Sequence, residues 1–380
     1  MHVHKINPPK HISIMRNYFI LSIFILAALF SCDNKSTEDI QIDVSTRIVN
    51  PNHYIVSKTS ETIHIDGKAD EASWESAQFT KSFIDIEGVK IPKYETKVKM
   101  LWDDKYLYVY SQMEEPHVWG NLKQRDTVIF YNNDFEIFVD PSGTATNYVE
   151  LEINALGTVW DLALDKPYRV GGKANDDWNV DGLKSAVNIQ GSLNKSDDTD
   201  KQWSVEFAIP LVDLIEQKHI NKNLPVEGEQ WRINFSRVEW EYDLIDGKYQ
   251  RKKESGKYLS EYNWVWSPQK VINMHEPEKW GFLQFTENKS SNSVEFITDP
   301  DMQIKQITFA LFRDIRFGEN QALLEKEEGY HQSIKAQYAV NQFVSAEFHK
   351  TKTGFSITTK NTETNTTFII NEEGVLKSKQ

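Results

Sequence analysis

From residue 97 onward the chain repeatedly alternates apolar and polar residues in short runs, a period that suits strands and not helices. KVKMLWDDKYLYVYSQM (97–113) reads as two such runs hinged at Asp103 and Asp104, a hairpin signal. DFEIFVDPSG and NYVELEIN form the next pair, turning through Pro141 and Gly143. TVWDLAL, AVNIQGSL, WSVEFAIP, WRINFSRVEW and GFLQFTEN follow with the same period. Helical composition is confined to about 211–218 and 319–345. A doubly wound sheet needs strands alternating with long helices, and that rhythm is missing. The expected class is therefore all-β: an antiparallel β-sandwich over 60–287.

Residues 288–380 differ. KSSNS (289–293) reads as a linker, and a helix-plus-strands appendage follows it. The polar linker suggests few core contacts shared with the sandwich, so truncation near 288 is expected to leave the sandwich folded. Within the sandwich, 164–182 and 241–262 break the alternation and read as long rim loops, where binding residues usually sit.

The N-terminus carries a processing signal. An apolar run from Tyr18 to Phe30 follows Lys5, Lys10 and Arg16, and is short of the roughly 20 residues that span a bilayer. It ends in LFSC, which resembles a bacterial lipobox whose cysteine is Cys32, the one cysteine of the chain. Residues 1–31 are thus expected to be a lipoprotein signal peptide and 32–59 a tether. Lipidation at Cys32 would place the protein at the bacterial cell envelope, as an outer-membrane lipoprotein. A single cysteine also excludes an intramolecular disulfide framework and a thiolate metal centre. With 43 basic and 56 acidic residues intermixed along the chain, no basic platform for nucleic acid is expected.

Alternation also sorts the side chains. Phe135, Ile137 and Val139 share one face, while Asp134, Glu136 and Phe138 share the other. Val149, Leu151 and Ile153 face the core, which sets Glu150, Glu152 and Asn154 together on the opposite face. Solvent exposure is the ordinary fate of such acids. Here they stand near Trp160 and Arg169, so carboxylates, an amide, an indole and a guanidinium are close in sequence. Sugars engage such sets, through paired hydroxyls on polar groups and an apolar ring face on an aromatic. Trp119, Trp178, Trp264 and Trp266 are the indoles expected to reach a ligand, whereas Trp74, Trp102, Trp203 and Trp231 adjoin apolar runs and read as core. The turns Asn133-Asp134 and Asp176-Asp177 offer hard oxygen ligands for calcium, or are plain surface turns. No HExxH, GxSxG or phosphate-loop spacing is present.

The ordered motifs IHIDGKADEASWESA, NNDFEIFVDPSG, YVELEINALGTVWDLALDKPYRVGG and NWVWSPQKVINMHEPEKWGFLQF resemble the carbohydrate-binding family 9-like proteins of Bacteroidota. That family is related to the family 9 modules of xylanases. The resemblance implies a β-sandwich that holds the end of a glycan chain between two Trp side chains, with structural calcium and no required cofactor. Carried over by motif, Trp119 and Trp266 are the sandwiching pair, Glu136 the sugar-binding acid, and Asn154 and Arg169 members of the polar set. Its expected partners are a carbohydrate ligand, the membrane through the N-terminal lipid, and envelope glycan-degrading enzymes. Two alternatives stay open: a glycoside hydrolase using Glu150, Glu152 and Asp161, and a structural or partner-binding lipoprotein.

Overall fold

The computed structural model describes residues 38–380. The signal peptide and Cys32 therefore lie outside the described residues. Among those described, no helix is long and apolar enough to cross a membrane.

Thirteen strands share one curled sheet. On one side, Lys184–Gln190, Gln202–Pro210, Tyr106–Glu114 and Thr96–Trp102 pair antiparallel in that order. On the other, Gly281–Thr286, Gln230–Glu239, Asp134–Asp140, Tyr148–Asn154 and Val159–Leu164 do the same. His53–Lys58 joins the two halves, running parallel to both of its neighbours. Its hold on Thr96–Trp102 is two residue pairs, Ser57 with Leu101 and Lys58 with Trp102, so the sheet folds over there. Val98, Met100, Val109, Val205 and Phe207 then close one core with Phe135, Ile137, Leu151, Ile153 and Phe235. The hairpin at Asp103-Asp104 and the pairing of the DFE and ELE strands are as expected from sequence.

Two boundaries are corrected. The tether expected at 32–59 supplies two strands, Ile40–Asp43 and His53–Lys58. Both alternate, burying Ile42 in one and Tyr54 and Val56 in the other. The second correction concerns the helix expected at 319–345, which lies instead at Met302–Phe317. There Ile304, Ile307, Leu311 and Ile315 recur at helical spacing and are buried. Residues His331–Ala339 and Gln342–Lys350 are strands, because alternation (Ile334, Ala336; Ala346, Phe348) outweighs the helix-favouring Glu, Lys, Ala and Gln.

The C-terminal segment is built into the rest of the protein. Its six-stranded sheet begins with Ile40–Asp43, paired parallel to His331–Ala339. The helix packs on that sheet in a core that also takes in Ala145 and Val170 of the sandwich. Just past the linker, Phe296 stacks on His53, ring centroids 4.2 Å apart. Arg313 of the helix donates from Nε and Nη2 to the two oxygens of Glu278, at 3.0 and 3.1 Å. A separable appendage is not what the packing shows.

Candidate functional site

The core-facing alternation of Asp134–Asp140 and Tyr148–Asn154 leaves their acids on the outer face of the sheet. Glu136 stands directly opposite Glu152, and Phe138 opposite Glu150. Trp160 is the next residue across, opposite Glu152. Loops roof this patch and turn it into a cavity of about 220 Å³. Glu136, Glu150 and Glu152 line its floor, with Trp160, Tyr168, Phe130 and Phe138 as apolar walls and Asn263, Asn273 and His275 as further polar groups.

The roof segment is held by its own hydrogen bonds. Trp280 Nε1 donates to the Met274 carbonyl at 2.8 Å, and Lys279 Nζ to the Gln269 carbonyl at 2.8 Å. That fixes His275, whose Nδ1 is 2.9 Å from Tyr148 Oη and whose Nε2 is 3.9 Å from Glu150 Oε2. Tyr168 meets the His275 ring edge-on at 4.5 Å. Burial, helped by the Arg169 guanidinium, lowers the imidazole to about 4, so it is neutral at physiological pH. Burial acts oppositely on the acids. It raises Glu136 to about 7, and with the neighbouring carboxylates it holds Glu150 and Glu152 well above the ordinary range. Glu152 Oε2 accepts from the Phe130 amide at 3.0 Å. Carboxyls that hold their protons so firmly donate as well as accept, so the floor offers both kinds of hydrogen bond, and the walls are aromatic.

The other sequence-derived residues fall elsewhere. Trp264 and Trp266 do share a face, but that face is the core. Trp264 is fully buried against the Arg237 guanidinium, and Trp266 is 2 % exposed and packs on Phe235. Trp119 is also 2 % exposed, stacked at 6.1 Å on Tyr249 from the 241–262 loop. It does not border the Glu136 cavity; it lines a separate one with Tyr131, Arg251 and Tyr258. The Trp119 and Trp266 sandwich is therefore not formed around Glu136. Trp178 is half-buried and packs against the main core.

Asn154 is structural: Nδ2 donates to the Leu122 carbonyl, and Oδ1 accepts from the amides of Leu156 and Thr158, fixing the turn. Asn133 is likewise committed, to Glu239 and the Trp240 amide. Asp161 pairs with Leu151 and so faces away from Glu150 and Glu152; it binds Arg125 and the Val180 amide. The trio of an imagined hydrolase is not assembled. Asp176 and Asp177 are exposed, Asp176 accepting from Trp160 Nε1 at 3.3 Å. Arg169 is exposed at the roof, donating to the Ile272 carbonyl at 3.4 Å. Asp134 alone of the expected calcium ligands lies beside the floor acids.

Sequence reasoning missed Tyr148, Tyr168, Asn263, Asn273 and His275 as site residues. Tyr168 belongs to a rim loop that broke the alternation, a usable signal. His275 and Asn273 come from 268–280, where nothing but a break in period before GFLQF marked a roof.

The sequence profile described as "Carbohydrate family 9 binding domain-like" matches residues 65–287, more than half of the chain. An endo-1,4-beta-xylanase C from Paenibacillus barcinonensis is 27% identical over 167 residues, which are 43% of this chain and 13% of that enzyme. The exoglucanase XynX of Acetivibrio thermocellus is 28% identical over 116 residues, 30% of this chain and 9% of the enzyme. The chain thus matches only a small part of each curated relative. A family 9 carbohydrate binding module from Caldicellulosiruptor kristjanssonii, solved in complex with cellotriose, aligns over 65% of this chain and 100% of its own at a TM-score of 0.40 and 15% identity. With the profile covering the whole span that builds the cavity, the chain belongs to the carbohydrate family 9 binding domain-like proteins.

Proposed function

We propose that the cavity binds a carbohydrate without cleaving it. The observation that carries this is the convergence of Glu136, Glu150 and Glu152 with Trp160 and Tyr168 around one space of about 220 Å³. Carboxylates accept from sugar hydroxyls, and an indole covers the apolar face of a pyranose. The space is smaller than the roughly 300–1,000 Å³ of sites for drug-sized ligands, which suits a terminal ring better than the interior of a chain. Family membership points the same way. The test is a glycan array probed with the full chain in detergent, beside a reducing-sugar release assay. Trp160→Ala is expected to weaken whichever glycan binds by about 2 kcal/mol, roughly 30-fold, with little change in melting temperature. Equal binding by the variant, or release of reducing sugar, would overturn the reading.

We propose further that the protein works at the bacterial envelope in support of glycan degradation, held there by a lipid on Cys32. The support is the short apolar run ending in LFSC. Mass spectrometry of the mature N-terminus should find a diacyl or triacyl Cys32. An unmodified chain beginning at another residue would end this proposal.

A further inference from the structure

The cavity beside Trp119 has the opposite chemistry from the one with the glutamate floor. It encloses about 650 Å³, within the range of small-ligand sites. Lys123, Lys248 and Arg251 line it, and no acidic residue does. In a chain of net charge −13 such a segregated group of cations sets up a local field of its own. Among the described residues none of the three is in an ion pair. Arg251 is the most firmly placed. Its Cζ lies 4.4 Å from the ring centre of Tyr131, 4.6 Å from that of Trp240 and 4.2 Å from that of Tyr258. Rings take up the guanidinium faces, and no described residue accepts a hydrogen bond from its N–H groups. What is left is an oriented fork of donors, the geometry that pairs with a carboxylate or a sulfate.

Two short hairpins deliver these groups. Tyr242–Ile245 pairs with Lys248–Arg251, and Lys253–Glu254 with Lys257–Tyr258. Each turns through two residues at positive φ, Asp246-Gly247 and Ser255-Gly256, as two-residue hairpin loops require. Tyr249 and Arg251, two apart on one strand, share a face, one against Trp119 and the other against Trp240. Those contacts fix the hairpins to the sandwich. The two cavities meet at one wall: Phe130 lines the acidic one and Tyr131 the basic one, their rings edge to face with centroids 4.9 Å apart. Tyr131 and Tyr258 are 45 % and 50 % exposed, and supply the apolar surface that a sugar ring covers. We propose that this second cavity binds an anionic sugar, a uronate or a sulfate ester, through Arg251, Lys248 and Lys123. The anion stands on the three unpaired cations; that a sugar carries it rests on the carbohydrate reading. The ligand class narrows accordingly, from carbohydrate to acidic carbohydrate.

The experiment titrates the full chain in detergent, by calorimetry, with a galacturonate trisaccharide, a sulfated galactose trisaccharide and a neutral glucose trisaccharide. At least one acidic probe should bind about 10-fold or more tighter than the neutral one, a preference that shrinks as salt is raised. The uronate and sulfate arms tell which anion is read. Arg251→Gln should weaken the acidic probe by at least about 10-fold relative to the neutral one, the loss of a charge-assisted hydrogen bond. Lys248→Gln should act in the same direction. Lys248 is exposed beside its turn, so this variant should melt with the wild type and keeps the test readable if Arg251→Gln loosens the hairpins. Acidic and neutral probes bound equally, by the wild type and by both variants, would overturn the anion site and leave the carbohydrate reading standing. Failure of both acidic probes to bind would overturn the site whatever the neutral probe does. Acidic binding that needs Arg251 but is indifferent to Trp160→Ala would establish the second cavity and remove the first as the sugar site.

Discussion

Arg313→Leu is expected to destabilise the whole protein by about 3–5 kcal/mol, the cost of leaving a buried carboxylate without its partner. Arg313 and Glu278 are each about 5 % exposed or less at the side chain, and their two hydrogen bonds join the C-terminal helix to the roof of the cavity. Glu276, 3.9 Å from Arg313, loses part of its compensation as well. Leucine restores volume but not charge, so the loss reads the unpaired carboxylate and not a void. Adding Glu278→Gln to the variant should recover part of it, since the amide tolerates burial better than an unpaired anion. Urea unfolding should show one transition that moves to lower denaturant. Two separate transitions, only one of them shifted, would mean that 288–380 folds as the independent unit its polar linker suggested. Ligand binding should suffer too, because Glu276 and Glu278 belong to the same short segment as His275. The variant should lose glycan affinity at temperatures where it is still folded.

Trp266→Ala is expected to cost about 3–5 kcal/mol of stability while leaving the affinity of each folded molecule unchanged. The ring fills the space over Gly281 so closely that a β-carbon there would collide with it, and its other face meets Phe235. Removing the indole opens a cavity over Gly281 and beside Phe235, on the face of two paired strands that cannot move in to fill it without breaking their ladder. Thermal unfolding and calorimetry on the same samples separate the effects. A variant that melts normally and no longer binds would restore Trp266 as a ligand platform and move the site away from Trp160.

Alternation made much of this legible before any coordinates. It placed Glu136, Glu150 and Glu152 on one face of their two strands, opposite a wholly apolar face that had to be the core side, and the cavity floor follows from that. It could not say whether a face sharing Trp264 and Trp266 looked inward, since period two assigns side chains to faces without naming the buried one. Trp119 looked like a loop aromatic because its cover, Tyr249, comes from 130 residues further on. The roof was hidden for the same reason: His275 is chemistry only beside Tyr148, and no local pattern announces a partner that tertiary folding supplies. At the C-terminus, composition favoured a helix at 319–345, and pairing with Ile40–Asp43 and its neighbours made strands. Short segments with two or three apolar residues, such as IQID and HYIVSK, carry too little period to be told from a tether.

The parallel pairing of Ile40–Asp43 with His331–Ala339 has a kinetic side. Residues 41 and 337, whose side chains meet across that ladder, are 296 positions apart. Loop closure over such a distance must be met before the contact rewards it, which slows folding of sheet-rich chains into the range of milliseconds to seconds or longer. During synthesis the gap is wider still, because at about 5–20 residues per second the late strand trails the early one by roughly 15 s or more. For that interval the first strand has nothing to pair with, and the C-terminal core cannot close. The two ends of the chain therefore lock together only after the last has emerged from the ribosome, and until then the early strand stays an open edge.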